Sequence, residues 1–297
     1  MFIKKDMRKI DEILNDPKDD RTVLKLSKRA PEFEGTLSIL TRENRLQALT
    51  NLTMVNLYDN SITTLDGIGA WAMAPLEELN LGCNKLSTLP LEFGKLTQLH
   101  RLWLEDNEFE TFPLAVCQLP QLCELRMAGN QLTTVPTNMS SMDKLVTLSL
   151  ENNLLAEFPR GVLELPALKF LWLRQNRITE VPEEISTLSR LEVLSLSSNR
   201  LAALPASLTS MGALTKLYLN GNRLERVPDD LAPMTSLVEV NVANNELQEL
   251  PEIWTVMWGE FDRASGKLVG GLREGVSVTV VGNAAVRQFK ESPTKHV

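Results

Sequence analysis

A segment that recurs at a fixed interval constrains the fold of this chain more than any other feature. The segment LEELNLGCNKLSTLP begins at Leu76, and similar segments follow it at intervals of 23 residues. An earlier copy begins 24 residues before it, at Leu52. The nine copies begin at Leu52, Leu76, Leu99, Leu122, Leu145, Leu168, Leu191, Leu214 and Leu237. Because a fixed period gives every copy the same local structure, the sequence predicts a stack of repeating coils.

The pattern LxxLxL at the start of each copy predicts a short strand, since its fourth and sixth residues alternate with outward-facing ones. An asparagine follows each strand after three places. It recurs as Asn60, Asn84, Asn107, Asn130, Asn153, Asn176, Asn199, Asn222 and Asn245. A polar side chain that recurs at an inward bend must be hydrogen-bonded. We therefore predict that these asparagines join backbone groups of adjacent coils.

A proline closes eight of the copies and predicts the start of a return segment, because proline cannot extend the preceding strand. It recurs as Pro90, Pro113, Pro136, Pro159, Pro182, Pro205, Pro228 and Pro251, with Asp66 in its place in the first copy. Return segments such as residues 183–190 are expected to be short helical or irregular turns. Parallel strands joined by right-handed crossovers predict an α/β solenoid with a curved parallel sheet on its concave face.

Over residues 52–251 the pattern resembles the leucine-rich-repeat superfamily. The 23-residue form with a leucine-proline pair is similar to intracellular Ras-group repeats, such as those of the plant intracellular Ras-group-related proteins, Shoc and Erbin. The GVYW tetrapeptide of the plant group is absent. The resemblance implies a non-enzymatic scaffold or adaptor that binds a protein partner. A small GTPase or a signalling complex is the partner that the resemblance suggests.

The two ends of the chain are expected to cap the stack, because an open solenoid exposes the apolar faces of its terminal coils. Residues 1–51 should form an N-terminal helix, within residues 5–15, and degenerate coils at residues 23–26 and 37–49. Residues 52–251 form the regular repeats. Residues 252–297 should contain a hairpin at 261–268, a last strand at 276–280 with an asparagine turn at Asn283, and a polar tail.

Composition excludes several classes of function and partner. A net charge of −7 with no basic block argues against nucleic acid as a partner. No stretch approaches the roughly 18 apolar residues that a membrane helix needs, so we expect no membrane insertion. The beginning of the chain does not read as a signal or transit peptide, and the three cysteines have no paired spacing. These features predict a reducing, cytoplasmic location.

Residues for catalysis and metal binding are scarce. The chain contains two histidines, His100 and His296, and no Cys/His cluster with metal-ligand spacing. It has no glycine-rich phosphate loop, nucleophile elbow or kinase signature. We therefore expect neither an enzyme nor a cofactor. Cys117 and Cys123, which lie six residues apart, are interpreted as partly buried packing residues.

The outward strand residues are the candidate partner-binding residues, because Trp, Tyr and Arg dominate protein-binding hot spots. They are Tyr58, Arg101, Trp103, Arg126, Phe170, Trp172, Arg174 and Tyr218. Trp103 and Trp172 occupy the same repeat position three coils apart, with Arg126 between them. One partner element is expected to bind both rings. The alternative is lateral packing, in which large side chains on neighbouring strands cover one another.

Charge is distributed unevenly, with acidic residues early in the stack and basic residues late. The basic residues include Arg177, Arg200 and Arg223, which share one position in successive repeats and should form a ladder. This ladder is either a solvated rim or part of a bipolar surface that orients a partner. Two alternative functions stay open: a structural subunit of a large intracellular assembly, and a regulator of GTPase or phosphatase activity. We expect a monomer unless the chain belongs to an assembly.

Overall fold

A computed structural model describes residues 9–14, 21–41, 50–228, 234, 236–250, 254, 259–262, 264–265, 267–270 and 277–284. The chain forms two compact units, and each is described by itself. The first unit comprises residues 1–132 and 139–145, and the second comprises residues 133–138 and 146–297.

The first unit is built on five parallel strands that pair in sequence order, each with the next. They are β1 (Val23–Lys25), β2 (Met54–Asn56), β3 (Glu78–Asn80), β4 (Arg101–Trp103) and β5 (Glu124–Arg126). Its helices are α1 (Ile10–Leu14), α2 (Ala30–Phe33) and α3 (Ser38–Thr41), and 3₁₀ helices span Ile68–Met73, Leu91–Lys95 and Leu114–Gln118. The register of every pair aligns the same repeat positions, so that Leu79 faces Leu102 across the β3–β4 ladder.

The second unit has six parallel strands and an antiparallel hairpin. The parallel strands pair in the order β6 (Thr147–Ser149), β7 (Phe170–Trp172), β8 (Val193–Ser195), β9 (Lys216–Tyr218), β10 (Glu239–Asn241) and β13 (Ser277–Thr279). The hairpin consists of β11 (Gly259–Asp262) and β12 (Lys267–Gly270), with β12 pairing with β13. The 3₁₀ helices span Arg160–Glu164, Glu183–Thr187 and Ala206–Ser210. These elements confirm the predicted class, a leucine-rich-repeat solenoid.

The core of both units consists of the repeated leucines and of one large side chain from each return helix. Leu102 and Leu104 are fully buried in the first unit, as are Leu194 and Leu196 in the second. Return residues such as Phe93 complete the same layer. Burial of each leucine stabilises the fold by about 1.5–3 kcal/mol relative to exposure.

The return helices begin directly after the repeated prolines, as predicted. Pro90, Pro113, Pro159, Pro182 and Pro205 each occupy the N-cap position, with φ between −67° and −73°. Proline is accommodated at this position because the N–H of an N-cap residue makes no bond within the helix, so its absence leaves no helix bond unmade. Only five residues follow in each helix, which suits a 3₁₀ conformation. The segment after Pro136 differs, because residues 137–145 contain no helix.

The asparagine column forms the predicted ladder. The side-chain amide of Asn107 donates to the Leu104 carbonyl at 3.1 Å and to the Leu81 carbonyl of the preceding coil at 3.0 Å. Its Oδ1 accepts a hydrogen bond from the backbone N–H of Leu86 at 3.0 Å. The column is buried at Asn60, Asn84, Asn107, Asn130, Asn153, Asn176, Asn199, Asn222, Asn245 and Asn283. These bonds satisfy backbone groups that would otherwise be buried without partners.

At the N-terminal end the structure has a strand within one predicted coil and a helix within the other. Strand β1 pairs with β2, and Arg29 takes the ladder position, where its backbone N–H donates to Asn60 Oδ1. The second coil, predicted at residues 37–49, is wrong over its described part, residues 37–41. Leu37 precedes helix α3 and is buried with Leu40, three residues on, because that spacing puts both side chains on one helix face. Residues 42–49 lie outside the described residues.

At the C-terminal end the predicted hairpin and last strand are present as β11, β12 and β13. Asn283 extends the ladder, since its amide donates to the Val242 carbonyl at 2.9 Å. The predicted N-terminal helix is described only as Ile10–Leu14, and the polar tail lies outside the described residues. The division into cap, repeat and cap segments at residues 51/52 and 251/252 stays a prediction, as does the capping role.

Candidate protein-binding face

The outward side chains of the strands form a surface in each unit, which we call the strand face. Strand geometry produces it, because residues on either side of each inward leucine point away from the core. Register then places equivalent positions side by side. On β4 and β5 it aligns Arg101 with Glu124 and Trp103 with Arg126. On β7, β8 and β9 it aligns Trp172, Ser195 and Tyr218.

In the first unit three of the predicted site residues converge on one carboxylate. Glu124 Oε1 lies 2.5 Å from Arg126 Nε and accepts a hydrogen bond of 3.3 Å from Trp103 Nε1. Its Oε2 lies 3.8 Å from Arg101 Nε. Arg101 also forms an ion pair with Glu78 on the neighbouring strand. The positive charge of this strand face is therefore largely matched by glutamates before any partner binds.

Tyr58 lies apart from that cluster, beside the bend after β2. Its ring packs against Gly82, where an added Cβ would come within 3.2 Å of the ring carbon Cδ2. The pKa of Tyr58 is raised to about 12, mainly by a hydrogen bond with Cys83. The negative charge of the Cys83 thiolate and burial raise it further. The Cys83 thiol in turn donates to Asp106 Oδ2 at 3.5 Å. The side chain stays 37% exposed and is available to a partner.

Burial also affects an acidic residue at the bend after β4. It raises the pKa of Glu105, an effect that the Arg126 guanidinium opposes. A nearby cation thus keeps the carboxylate in its charged form more readily than burial alone would allow.

In the second unit two predicted site residues pack on each other. The rings of Trp172 and Tyr218 stack with centroids 6.4 Å apart and an interplanar angle of 18°. Ser195 lies on the strand between them and is only 3% exposed. Tyr218 donates its hydroxyl hydrogen to Glu239 Oε2 at 2.8 Å. Burial, with help from Glu239, raises the pKa of Tyr218 to about 12.

This stack changes the interpretation of Trp172. The sequence suggested a ring held in solvent until a partner binds, with lateral packing as the alternative. The structure shows lateral packing for Trp172 and Tyr218, while Trp103 is held by one hydrogen bond to Glu124. All three side chains nevertheless keep part of their surface exposed. The stacked rings therefore form an aromatic platform before any partner binds, and they remain accessible to a partner.

The remaining site residues flank this platform. Phe170 precedes Trp172 on β7 and aligns with the buried Val193. Arg174 follows Trp172 by two residues and is exposed. The sequence analysis missed Glu239, the partner of both Tyr218 and Lys216. Aligning the repeat positions would have revealed it, since Glu239 occupies the strand position next to Lys216.

Among the residues that the structure describes, no group of three or more His, Cys, Asp or Glu residues is placed to hold a metal ion. No helix among those residues is long and apolar enough to cross a bilayer. The second unit has a groove of about 540 Å³ lined by residues 133–137 and 155–160, on the proline side of the coils. Its lining includes the charged residues Glu157 and Arg160 and the hydroxyl residues Thr133, Thr134 and Thr137.

Two family models match the chain. A model described as "Leucine-rich repeat region" covers residues 159–254, and one described as "Leucine rich repeat" covers residues 50–109. A search of curated proteins found no match.

Solved structures with similar folds come from bacteria and plants. A leucine-rich-repeat protein of Leptospira interrogans is 27% identical with a TM-score of 0.75, covering 95% of this chain and 77% of its own. An internalin of Listeria monocytogenes is 23% identical with a TM-score of 0.60, covering 69% and 58%. The ectodomain of the Arabidopsis thaliana receptor kinase GASSHO1/SCHENGEN3, in complex with CASPARIAN STRIP INTEGRITY FACTOR 2, is 26% identical with a TM-score of 0.58, covering 70% and 29%.

Proposed function

Since the chain belongs to the leucine-rich-repeat superfamily, we propose that it is a non-enzymatic module that binds a protein partner through its strand face. Leucine-rich-repeat domains generally mediate protein–protein interaction, and the two matching family models cover residues 50–109 in the first unit and 159–254 in the second. The outward residues of the strand face vary in chemistry from coil to coil, while the inward positions repeat leucine and asparagine.

One observation carries the proposal: the strand face presents large aromatic and arginine side chains that the core does not need. Trp103, Trp172 and Tyr218 are partly exposed although the inward leucines beside them are completely buried. Aromatic and arginine side chains contribute most of the binding energy at protein interfaces. Side chains that neighbours already hold in place lose less conformational entropy when a partner binds.

In its finer form, the proposal is a cytoplasmic scaffold or adaptor, monomeric outside an assembly, whose partner is a small GTPase or a signalling complex. The 23-residue period with its leucine-proline pair supports this class. The three cysteines are free thiols, which suits a reducing compartment. The structure of the plant receptor ectodomain in complex with another protein supports partner binding by this fold in general. Direct binding of nucleotide-loaded GTPases to the chain tests the finer form.

The test of the main proposal compares two double variants of the full chain in affinity capture from its native cells. Trp103→Ala with Trp172→Ala removes aromatic side chains from the strand face of both units. The matched control, Leu91→Ala with Leu114→Ala, removes exposed side chains from the return side of the first unit. We expect the tryptophan variant to recover at least tenfold less of its partners than the parent chain, since hot-spot residues contribute about 2 kcal/mol or more each. Retention of all partners by that variant would overturn the proposal.

A second candidate function, a structural subunit of a large assembly, is favoured by a different observation. Leu91 and Leu114 share one position in successive return helices and are 78% and 65% exposed. Exposed leucines side by side are typical of interaction surfaces. This candidate predicts that the control variant, and not the tryptophan variant, loses partners. Regulation of GTPase or phosphatase activity is tested by measuring hydrolysis rates with and without the chain.

A further inference from the structure

The second unit carries a row of arginines along one edge of its strand face. Arg177, Arg200 and Arg223 each follow the buried ladder asparagine of their repeat, and all three are exposed. Their backbone N–H groups each donate to a carbonyl of the preceding coil, at 2.8 to 2.9 Å, so the row is held in register. With coils about 4.8 Å apart, the row extends over about 10 Å. Arg174, two residues beyond the Trp172 ring, adds a fourth guanidinium at this edge.

The side chains of these arginines form no ion pair with the described residues of the unit. Among its described residues the ion pairs join Arg160 to Glu184, Lys169 to Glu192 and Lys216 to Glu239. None of the four edge arginines takes part in one. The lysine pairs lie at the amino ends of the strands, so positive charge there is matched by glutamate. Positive charge at the carboxyl ends is left for a partner.

The acidic residues nearest in sequence do not change this. Glu180 and Glu225 lie in the turns that follow Arg177 and Arg223, and both are exposed. Neither forms an ion pair with any described residue of the unit. In the first unit the same repeat position holds Ser61, Lys85, Glu108 and Gln131. In the second unit it holds Leu154 before the row and Glu246 after it, so the row spans three successive repeats of the second unit.

From this arrangement we propose that the second unit binds an extended acidic segment of a protein partner. Carboxylates of the segment pair with Arg174, Arg177, Arg200 and Arg223, and a neighbouring apolar side chain packs on the Trp172–Tyr218 platform. The inference rests on the proposed protein-binding function and names the chemistry of the partner. Guanidinium groups fit carboxylates because both are planar and form two parallel hydrogen bonds.

The spacing suits two or three acidic residues within a short stretch. An extended chain advances about 3.3–3.6 Å per residue, so the row of about 10 Å matches three residues. A single-stranded nucleic acid would also offer negative charges and flat bases. The observations favour protein, because the Trp172 and Tyr218 rings already stack on each other.

A peptide-display selection on the full chain tests the proposal, with a library of random twelve-residue peptides as the probe. We expect enrichment of peptides with two or more Asp or Glu residues beside an apolar one. Their affinity should fall about tenfold or more in the variant Arg177→Gln with Arg200→Gln and Arg223→Gln. The matched control is Arg160→Gln with Lys169→Gln and Arg190→Gln, which removes the same charge from positions outside the strands of the same unit. That control should retain binding within about twofold.

The remaining outcomes overturn the proposal. Enrichment of neutral or basic peptides, no acidic enrichment, or equal losses in both triple variants would contradict it. Binding of a single-stranded RNA oligonucleotide in preference to the acidic peptides would assign the edge to nucleic acid. Circular dichroism of each variant checks that folding is unchanged. If peptide binding depends on the arginines and native partners persist in the tryptophan variant, the inference stands and the proposed strand-face function fails. If the arginine variant binds peptides as the parent does and the tryptophan variant loses its native partners, the strand-face function stands and the acidic-segment inference fails.

Discussion

The two units share one backbone plan and differ in what their strand faces do with charge and aromatic surface. In the first unit, Arg101, Trp103 and Arg126 all contact Glu124, so opposite charges on neighbouring strands are matched. In the second unit, Trp172 stacks on Tyr218, and the arginines along the nearby edge take no part in the ion pairs of its described residues.

That difference shows how a repeat fold separates stability from specificity. Inward positions are nearly invariant along both units, because each coil must bury the same leucines and satisfy the same backbone groups. Outward positions are released from that requirement. They can hold an ion-paired cluster in one unit and an aromatic platform in the other with no change in strand register.

The largest expected effect tests whether the inward positions of the two units are equivalent. Leu102→Ala in the first unit and Leu217→Ala in the second should each reduce the free energy of unfolding by about 2–5 kcal/mol, because each leaves a cavity in a fully packed layer. Chemical denaturation measures both. Arg101→Ala, next to Leu102 on the outward side, is the control and should change it by about 1 kcal/mol or less. A leucine variant as mild as this control would show that the core of that unit is not packed as described.

The asparagine ladder should give the next largest effect. Asn130→Ala removes hydrogen bonds to the Leu104 and Met127 carbonyls and leaves the Phe109 N–H without its acceptor. We expect a loss of about 1–3 kcal/mol in the free energy of unfolding, since buried polar groups remain unpaired. The neighbouring Gln131→Ala, at an exposed position, should stay within about 0.5 kcal/mol of the parent. Equal stability of the two variants would show that the asparagine hydrogen bonds do not stabilise the fold.

The tryptophans provide a direct contrast between the strand faces. Trp172→Ala loses the stack with Tyr218, and Trp103→Ala loses one hydrogen bond of 3.3 Å to a partly exposed glutamate. The first change should therefore cost about 1 kcal/mol more than the second. Melting temperatures of the two variants measure the difference, with Tyr218→Phe as a control that keeps the stack. A larger loss for Trp103→Ala would reverse the assignment of structural roles.

Much of this fold was predictable from the sequence, because a strict repeat length places equivalent residues at equivalent positions in every coil. Inward leucines, ladder asparagines and five of the return prolines were placed correctly by counting from one copy to the next. Pro136 is followed by no helix, and Pro251 lies outside the described residues. The period fails at the N-terminal end, where Leu37 and Leu40 have helical spacing and form part of a helical segment. Local spacing, not the repeat template, would have predicted this correctly.

The sequence predicts which residues lie on the strand face, but not which of their side chains contact one another. Counting places Trp172 and Tyr218 in one column. Whether their rings meet depends on the small Ser195 between them, which leaves room for both to lean together. Glu124 could be named as acidic from the sequence, but its three simultaneous contacts depend on side-chain conformations that no pattern specifies. The division into two units was not anticipated, because the repeat pattern runs through it without interruption.

The smallest effect concerns the two tyrosines, one in each unit. Both have a pKa raised to about 12, Tyr58 mainly by its hydrogen bond with Cys83 and Tyr218 mainly by burial. In the unfolded chain each ionises near pH 10, so these groups contribute stability that is present below pH 10 and lost as the pH rises towards 12. Ultraviolet absorbance of tyrosinate measures both titrations. Cys83→Ala should lower the pKa of Tyr58 and leave Tyr218 unchanged. A changed pKa for Tyr218 with an unchanged pKa for Tyr58 in this variant would contradict the proposed role of Cys83.

The central claim, that the strand face is the binding surface, is tested most directly by hydroxyl-radical footprinting of the full chain with a captured partner bound. Mass spectrometry then reports the oxidation of individual side chains, free and bound. We expect Trp103, Trp172 and Tyr218 to become protected, while Leu91 and Leu114, in the return helices, are oxidised as in the free chain. Protection of the two leucines with undiminished oxidation of the aromatic residues would contradict it and place the partner on the return side.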